Sequence, residues 1–261
     1  MKKFISNKFV LFFLGVVFVI ALWSILSLLF DKNGMIFPSP ILTFKEFFVL
    51  LGQSKTYVNL GYTFLRMLIG FSLSLVTAML VGIIAGNHQS FYQFLKPLMT
   101  VIKSIPTVVL LFLFIVLIAP KNAPIFLVFV VCFPILYEGM AGGIRSIEKD
   151  LLEASVVDGA NLLKSTIFIK LPLAFPYIVV SMLSSFALSF KIEIMAEVIT
   201  GTTKNGLGSV ISFLKSDDPT NMPIIFAYSL FAIIIMLLVS LLEEVIKHIL
   251  KKRNIVVSNN N

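Results

Sequence analysis

Charge is scarce in this sequence. Asp, Glu, Lys and Arg make up 13% of its 261 residues, against about 25% in an ordinary soluble domain. Cysteine is nearly absent: Cys132 stands alone inside an apolar run, which excludes an intrachain disulfide and a thiolate metal cluster and leaves a small buried hydrophobe. The two histidines, His88 and His248, are isolated near the ends of apolar runs and read as interfacial residues rather than ligands. H-E-x-x-H, G-x-S-x-G and clustered His or Cys are missing, which removes the usual signatures of a membrane-embedded enzyme. The phosphate loop G-x-x-x-x-G-K-[ST] is missing too, so any ATP-driven step requires a separate ATPase chain. No cofactor and no metal is expected. No long polar linker interrupts the apolar runs, so residues 1–261 are expected to form one domain.

What the sequence has in excess is apolar surface: 58% hydrophobic residues, 26 Phe and a mean hydropathy of +1.02. Water is not its main solvent. A spanning helix needs roughly 20 mostly apolar residues to cross about 30 Å of hydrocarbon. Six stretches qualify, near Phe9–Phe30, Asn59–Ile84, Pro97–Ala119, Pro124–Gly142, Leu173–Ile199 and Pro223–Leu250. The first follows Lys2, Lys3 and Lys8 as a signal peptide would, but it is too long for a signal h-region and lacks a small-residue cleavage site, so it is expected to stay as an anchor. The net charge of +8 sits at the edges of apolar runs instead of among exposed aromatics, which argues against nucleic acid.

Positively charged flanks tend to stay cytoplasmic. With the N-terminus inside, the inner segments carry Lys2, Lys3, Lys8, Lys96, Arg145, Lys149, Lys164, Lys170, Lys247, Lys251, Lys252 and Arg253. The outer loops carry fewer, and both termini are then cytoplasmic, with a polar tail at 251–261. Two regions lie outside the spans. In Pro38–Gln53, residues Ile41, Phe44, Phe47 and Phe48 recur at helical spacing and predict a short interfacial helix on the outer face. The other is the longest inner loop, about 145–172.

Within that loop Ile147, Leu151 and Ala154 share a helical face, and Asp158-Gly159 offers the left-handed C-terminal cap. Asn161 can cap a second short helix through Ile169, which Pro172 is expected to close. Two short helices on a tight turn form a rigid element on which another protein can push. The order Glu153-Ala154-Ser155, Gly159, Ile169, Leu171 and Pro172 resembles the cytoplasmic EAA loop of binding-protein-dependent (type I) ABC importer permeases; only Ser155, in place of the second Ala, departs from it. Phe37-Pro38-Ser39-Pro40, Ser104-Ile105-Pro106-Thr107, the stretch Phe190-Lys191 to Ala196-Glu197-Val198-Ile199 and Gly206-Leu207-Gly208 are similar to the nitrate/sulfonate/taurine branch. The resemblance implies an all-α polytopic membrane protein of about six transmembrane helices with a cytoplasmic coupling-helix loop. It also implies two permeases, as a homodimer or a similar pair, two ATP-binding cassette ATPase subunits docked on that loop, and an extracytoplasmic solute-binding protein. The solute it implies is an organic anion such as a sulfonate, taurine or nitrate, or a neutral vitamin precursor. An ion-coupled secondary transporter is the alternative, although such proteins usually show two homologous halves.

Ionisable groups at membrane depth are costly and face protein or water. Arg66, Lys191, Glu193 and Glu197 qualify. Glu193 and Glu197 share a face of the fifth span while Lys191 points the opposite way, so a partner from another helix is required, and Arg66, at a depth similar to Glu193, is the expected one. Lys103 and Glu138 lie at comparable inner depth and can pair likewise. Either pair can be a gate, a structural bridge or a set of snorkelling side chains; Arg66 can alternatively bind an anionic solute.

Overall fold

The computed structural model describes residues 8–30, 37–147, 161–201 and 204–252. Among these, regular structure is helical throughout. In chain order the helices are α1 (Lys8–Phe30), α2 (Pro40–Leu51), α3 (Ser54–Asn87), α4 (Gln89–Ser104), α5 (Thr107–Leu117), α6 (Ala123–Arg145), α7 (Leu162–Ser165), α8 (Leu171–Thr200), α9 (Leu207–Asp217) and α10 (Met222–Lys252). Five helical stretches are long and apolar enough to cross a membrane, and α4 with α5 forms a sixth candidate bent by 98°.

The core is α3, α6 and α8. Gly70 of α3 lies against Val128 of α6, Gly82 against Met140 and Gly86 against Ile144; the two numbers rise together, so α3 and α6 run parallel. Cys132 faces Ser185 and Gly143 faces Ala174, so α8 runs antiparallel to α6. Hydrocarbon offers helices no hydrophobic reward for associating, and small residues that let backbones approach take over that role. A Cβ on Gly70 would stand 2.6 Å from the carbonyl oxygen of Ile125, closer than any real side chain tolerates.

Expectation and structure part at two places. The third apolar stretch is not a straight span. Its helix begins at Gln89, ahead of Pro97, and breaks where Ile105 turns extended (φ −76°, ψ 127°) before Pro106, which disfavours a helical conformation in the residue preceding it. Second, Pro172 does not close the loop helix. Leu171 donates its N–H five residues back to Thr166, and this single π turn over Thr166–Lys170 joins α7 to α8, with Pro172 tolerated in the first turn of α8, where its missing N–H costs little. The short helix expected over Pro38–Gln53 is α2, which buries Pro40, Thr43, Phe47 and Leu50 and leaves Ile41 and Phe48 exposed. Ser39 caps this helix, accepting from the Leu42 N–H at 3.4 Å. Trp23 and Ser27 of α1 donate to the carbonyls of Pro38 and Phe37, at 3.0 and 2.9 Å.

Candidate functional site

A buried polar cluster ties α3 to the turn after α8. Arg66 donates to Glu197 at 2.5 Å and to the Asn205 carbonyl at 2.8 Å. Glu197 is fully buried and also accepts from the Thr63 hydroxyl at 2.8 Å and the Gly208 N–H at 3.0 Å. Thr63 in turn accepts from the Leu207 N–H at 2.8 Å, and Asn59 accepts from the Gly206 N–H at 3.3 Å. The first N–H groups of α9, orphaned by the start of the helix, thus find partners on α3 and α8. Gly206 holds φ 138°, a conformation open to glycine and strained for side chains, and a Cβ there would strike the Glu197 carboxylate.

Arg66 therefore meets Glu197, not Glu193, its expected partner. Glu193 is fully buried one turn away, and neither of its carboxylate oxygens has a hydrogen-bond partner among the described residues. Lys191 is exposed on the other side of α8. The helix α9, which carries half of this cluster, lies in a segment that sequence reasoning left without structure; Val210, Ile211, Phe213 and Leu214, at helical spacing after Gly206-Leu207-Gly208, were its signal.

Toward the Arg145 end of α6, Lys103 Nζ donates to the two Glu138 oxygens at 2.6 and 2.5 Å. Both side chains remain about half exposed, 43% and 48%. At that end of α6, Arg145 stacks on Tyr92, 4.3 Å from the ring centre, and donates to Gln89. Of the docking-loop residues, Glu153, Ala154, Ser155 and Gly159 lie outside the described residues. Ile169 sits in the π turn, and Leu171 and Pro172 open α8. Asn161 caps α7, its side-chain oxygen accepting from the Lys164 N–H at 2.9 Å. Asn87, the last residue of α3, accepts from Thr166 at 3.1 Å and Lys170 at 2.7 Å, which pins this second half of the loop to the core.

Residues 78–256, most of the chain, match the family model described as binding-protein-dependent transport system inner membrane component. The chain belongs to this family. As a permease subunit of an ATP-binding-cassette importer, it is a multi-pass inner-membrane protein. The permease is 25% identical over 241 residues to the putative aliphatic sulfonates transport permease protein SsuC of Bacillus subtilis, covering 90% of this chain and 85% of the relative. It is 27% identical over 198 residues to the nitrate import permease protein NrtB of Synechocystis, covering 70% and 69%. Among solved structures, the permease resembles a chain of the MetNI methionine ABC transporter in an inward-facing conformation, with a TM-score of 0.58 at 19% identity over 77% of this chain and 95% of that one. A chain of the bacterial alginate ABC transporter in complex with alginate pentasaccharide-bound periplasmic protein gives 0.55 at 17% identity, covering 98% and 99%. These likenesses establish the fold.

Proposed function

We propose that this permease, as a single domain over the whole chain, works as one of two copies that enclose a path for a small organic anion. An extracytoplasmic binding protein delivers the solute, and an ATPase docks on the inner loop around Glu153–Pro172. The observation that carries the docking half of this reading is the joined helix from Leu162 through the π turn to Thr200, pinned to α3 at Asn87. A push on the loop is passed along this helix and through Asn87, so that it moves α8 and the end of α3 together. α8 ends in the Arg66–Glu197 cluster, so the same motion reaches the far side of the membrane. With the N-terminus cytoplasmic, that cluster faces outward, where a binding protein delivers solute.

The anionic solute is supported by the sulfonate and nitrate permeases among the relatives. Mass spectrometry of the small molecule that co-purifies with the co-expressed binding protein tests it. A sulfonate, nitrate or related anion is expected; a neutral or cationic ligand overturns the solute assignment and leaves the docking model standing.

A further inference from the structure

The α4–α5 corner and the Lys103–Glu138 pair pose a problem that lipid cannot solve. α5 has 11 residues and at about 1.5 Å per residue rises only about 16 Å, half of a hydrocarbon core. α4 does not rise steeply to meet it. Tyr92 near its start stacks on Tyr137 and receives Arg145, and Lys103 in its last turn still meets Glu138, so α4 runs across the inner end of α6. The chain then turns by 98°, and α5 follows α6 outward, Phe114 reaching Phe126. Glu138 lies seven residues from the Arg145 end of α6, about 10 Å inside at helical rise. The corner is therefore at membrane depth.

There, Lys103, Ser104 and Pro106 are all exposed, as is half of the ion pair. Exposed irregular backbone and exposed charge are both expelled from hydrocarbon; at that depth they persist only against protein or lining a water-filled cavity. Beside them lies a crevice of about 260 Å³ whose lining joins Lys103, Ile105 and Thr107 of the corner to Val131 and Pro134 of α6. Pro134, which lines this crevice, sits inside α6 and withholds the N–H that Val130's carbonyl would otherwise receive.

From this geometry we infer that the corner Lys103–Thr107 and the Lys103–Glu138 pair line the aqueous path taken by the solute, at its inner constriction. The inference rests on the permease assignment but not on the identity of the solute. In the path, the ion pair is a latch between the bent helix and α6 that water, or the charged end of a passing anion, can open without exposing either charge to lipid.

The experiment is thiol labelling of the permease co-expressed with its ATPase in inside-out vesicles. Cys132→Ser is the background, with Ser104→Cys, Thr107→Cys or, as a lipid-facing comparison, Val116→Cys, whose parent side chain is 82% exposed on α5. A charged methanethiosulfonate is expected to modify the first two faster than Val116→Cys by on the order of tenfold or more, because hydrocarbon excludes the charged reagent. N-phenylmaleimide, which enters lipid, should label Val116→Cys readily and so verify its insertion. If Ser104→Cys and Thr107→Cys react only with the lipid-soluble reagent, the corner faces lipid and the inference fails. If neither reagent reaches them and oxidation instead cross-links two copies through Ser104→Cys, the corner is a closed protein seam, which also overturns it. ATP-driven uptake by the unmodified protein tests the importer reading separately.

Discussion

Removing the guanidinium of Arg66 strands the Glu197 carboxylate in a fully buried position, where, among the described residues, Thr63 and Gly208 supply its other donors. Taking one partner from a buried ion pair costs about 3–5 kcal/mol. If each kcal/mol is worth about 2–4 °C in a chain of this length, Arg66→Met lowers the detergent Tm by roughly 6–20 °C. Glu197→Gln is expected to cost less, because Arg66 keeps the Asn205 carbonyl and its side chain is 16% exposed. In the double variant no charge is stranded, so its loss should fall short of the additive sum by about 0.5–3 kcal/mol, the usual coupling of residues in contact. Glu193→Gln should change little, since among the described residues that carboxyl has no hydrogen-bond partner to lose. Size-exclusion recovery after graded heating measures all four. Strictly additive losses, or rescue of Arg66→Met by Glu193→Gln and not by Glu197→Gln, would refute the pairing.

Close packing predicts opposite outcomes at two glycines of α3. Gly70→Ala should destabilise by about 1–3 kcal/mol through the clash with the Ile125 carbonyl, whereas Gly61→Ala, with nothing within 4 Å, should be neutral or gain up to about 1 kcal/mol of helix propensity; the same heating assay separates them. Asn87→Leu should leave insertion intact and lower uptake per ATP hydrolysed, because Lys170 and Thr166 lose their tie to α3; unchanged coupling would show that the tie is only structural. For the orientation, cysteines replacing the exposed Leu163 and, on the opposite side, the exposed Lys121 and Lys204 are expected to be shielded from and open to an external impermeant reagent, respectively. External labelling at Leu163→Cys would invert the topology and remove the ATPase from its dock.

Five of the spans were legible because a run of some 20 apolar residues has few other fates. The bent pair was not, since total hydropathy carries no direction. Gln89, Gln93, Lys96, Thr100 and Lys103 nevertheless recur at helical spacing, marking α4 as amphipathic and distinct from the wholly apolar α5. Arg66 was correctly seen to need a carboxylate from the fifth span, but Glu193 and Glu197 are one helical turn apart, about 6 Å, and span ends read from sequence are uncertain by about that much. Pro172 misled because the rule for prolines describes ordinary helices, and a π turn lies outside it.

The central claim, that this chain carries solute only when an ATPase works its inner loop, is tested most directly in proteoliposomes holding the permease, its ATPase and its binding protein. Uptake of the ligand found on that binding protein should require both internal ATP and the binding protein, and Gly159→Val should abolish it while the protein inserts at normal levels. Uptake driven by an ion gradient without ATP, or undiminished uptake by the Gly159→Val protein, would contradict the account.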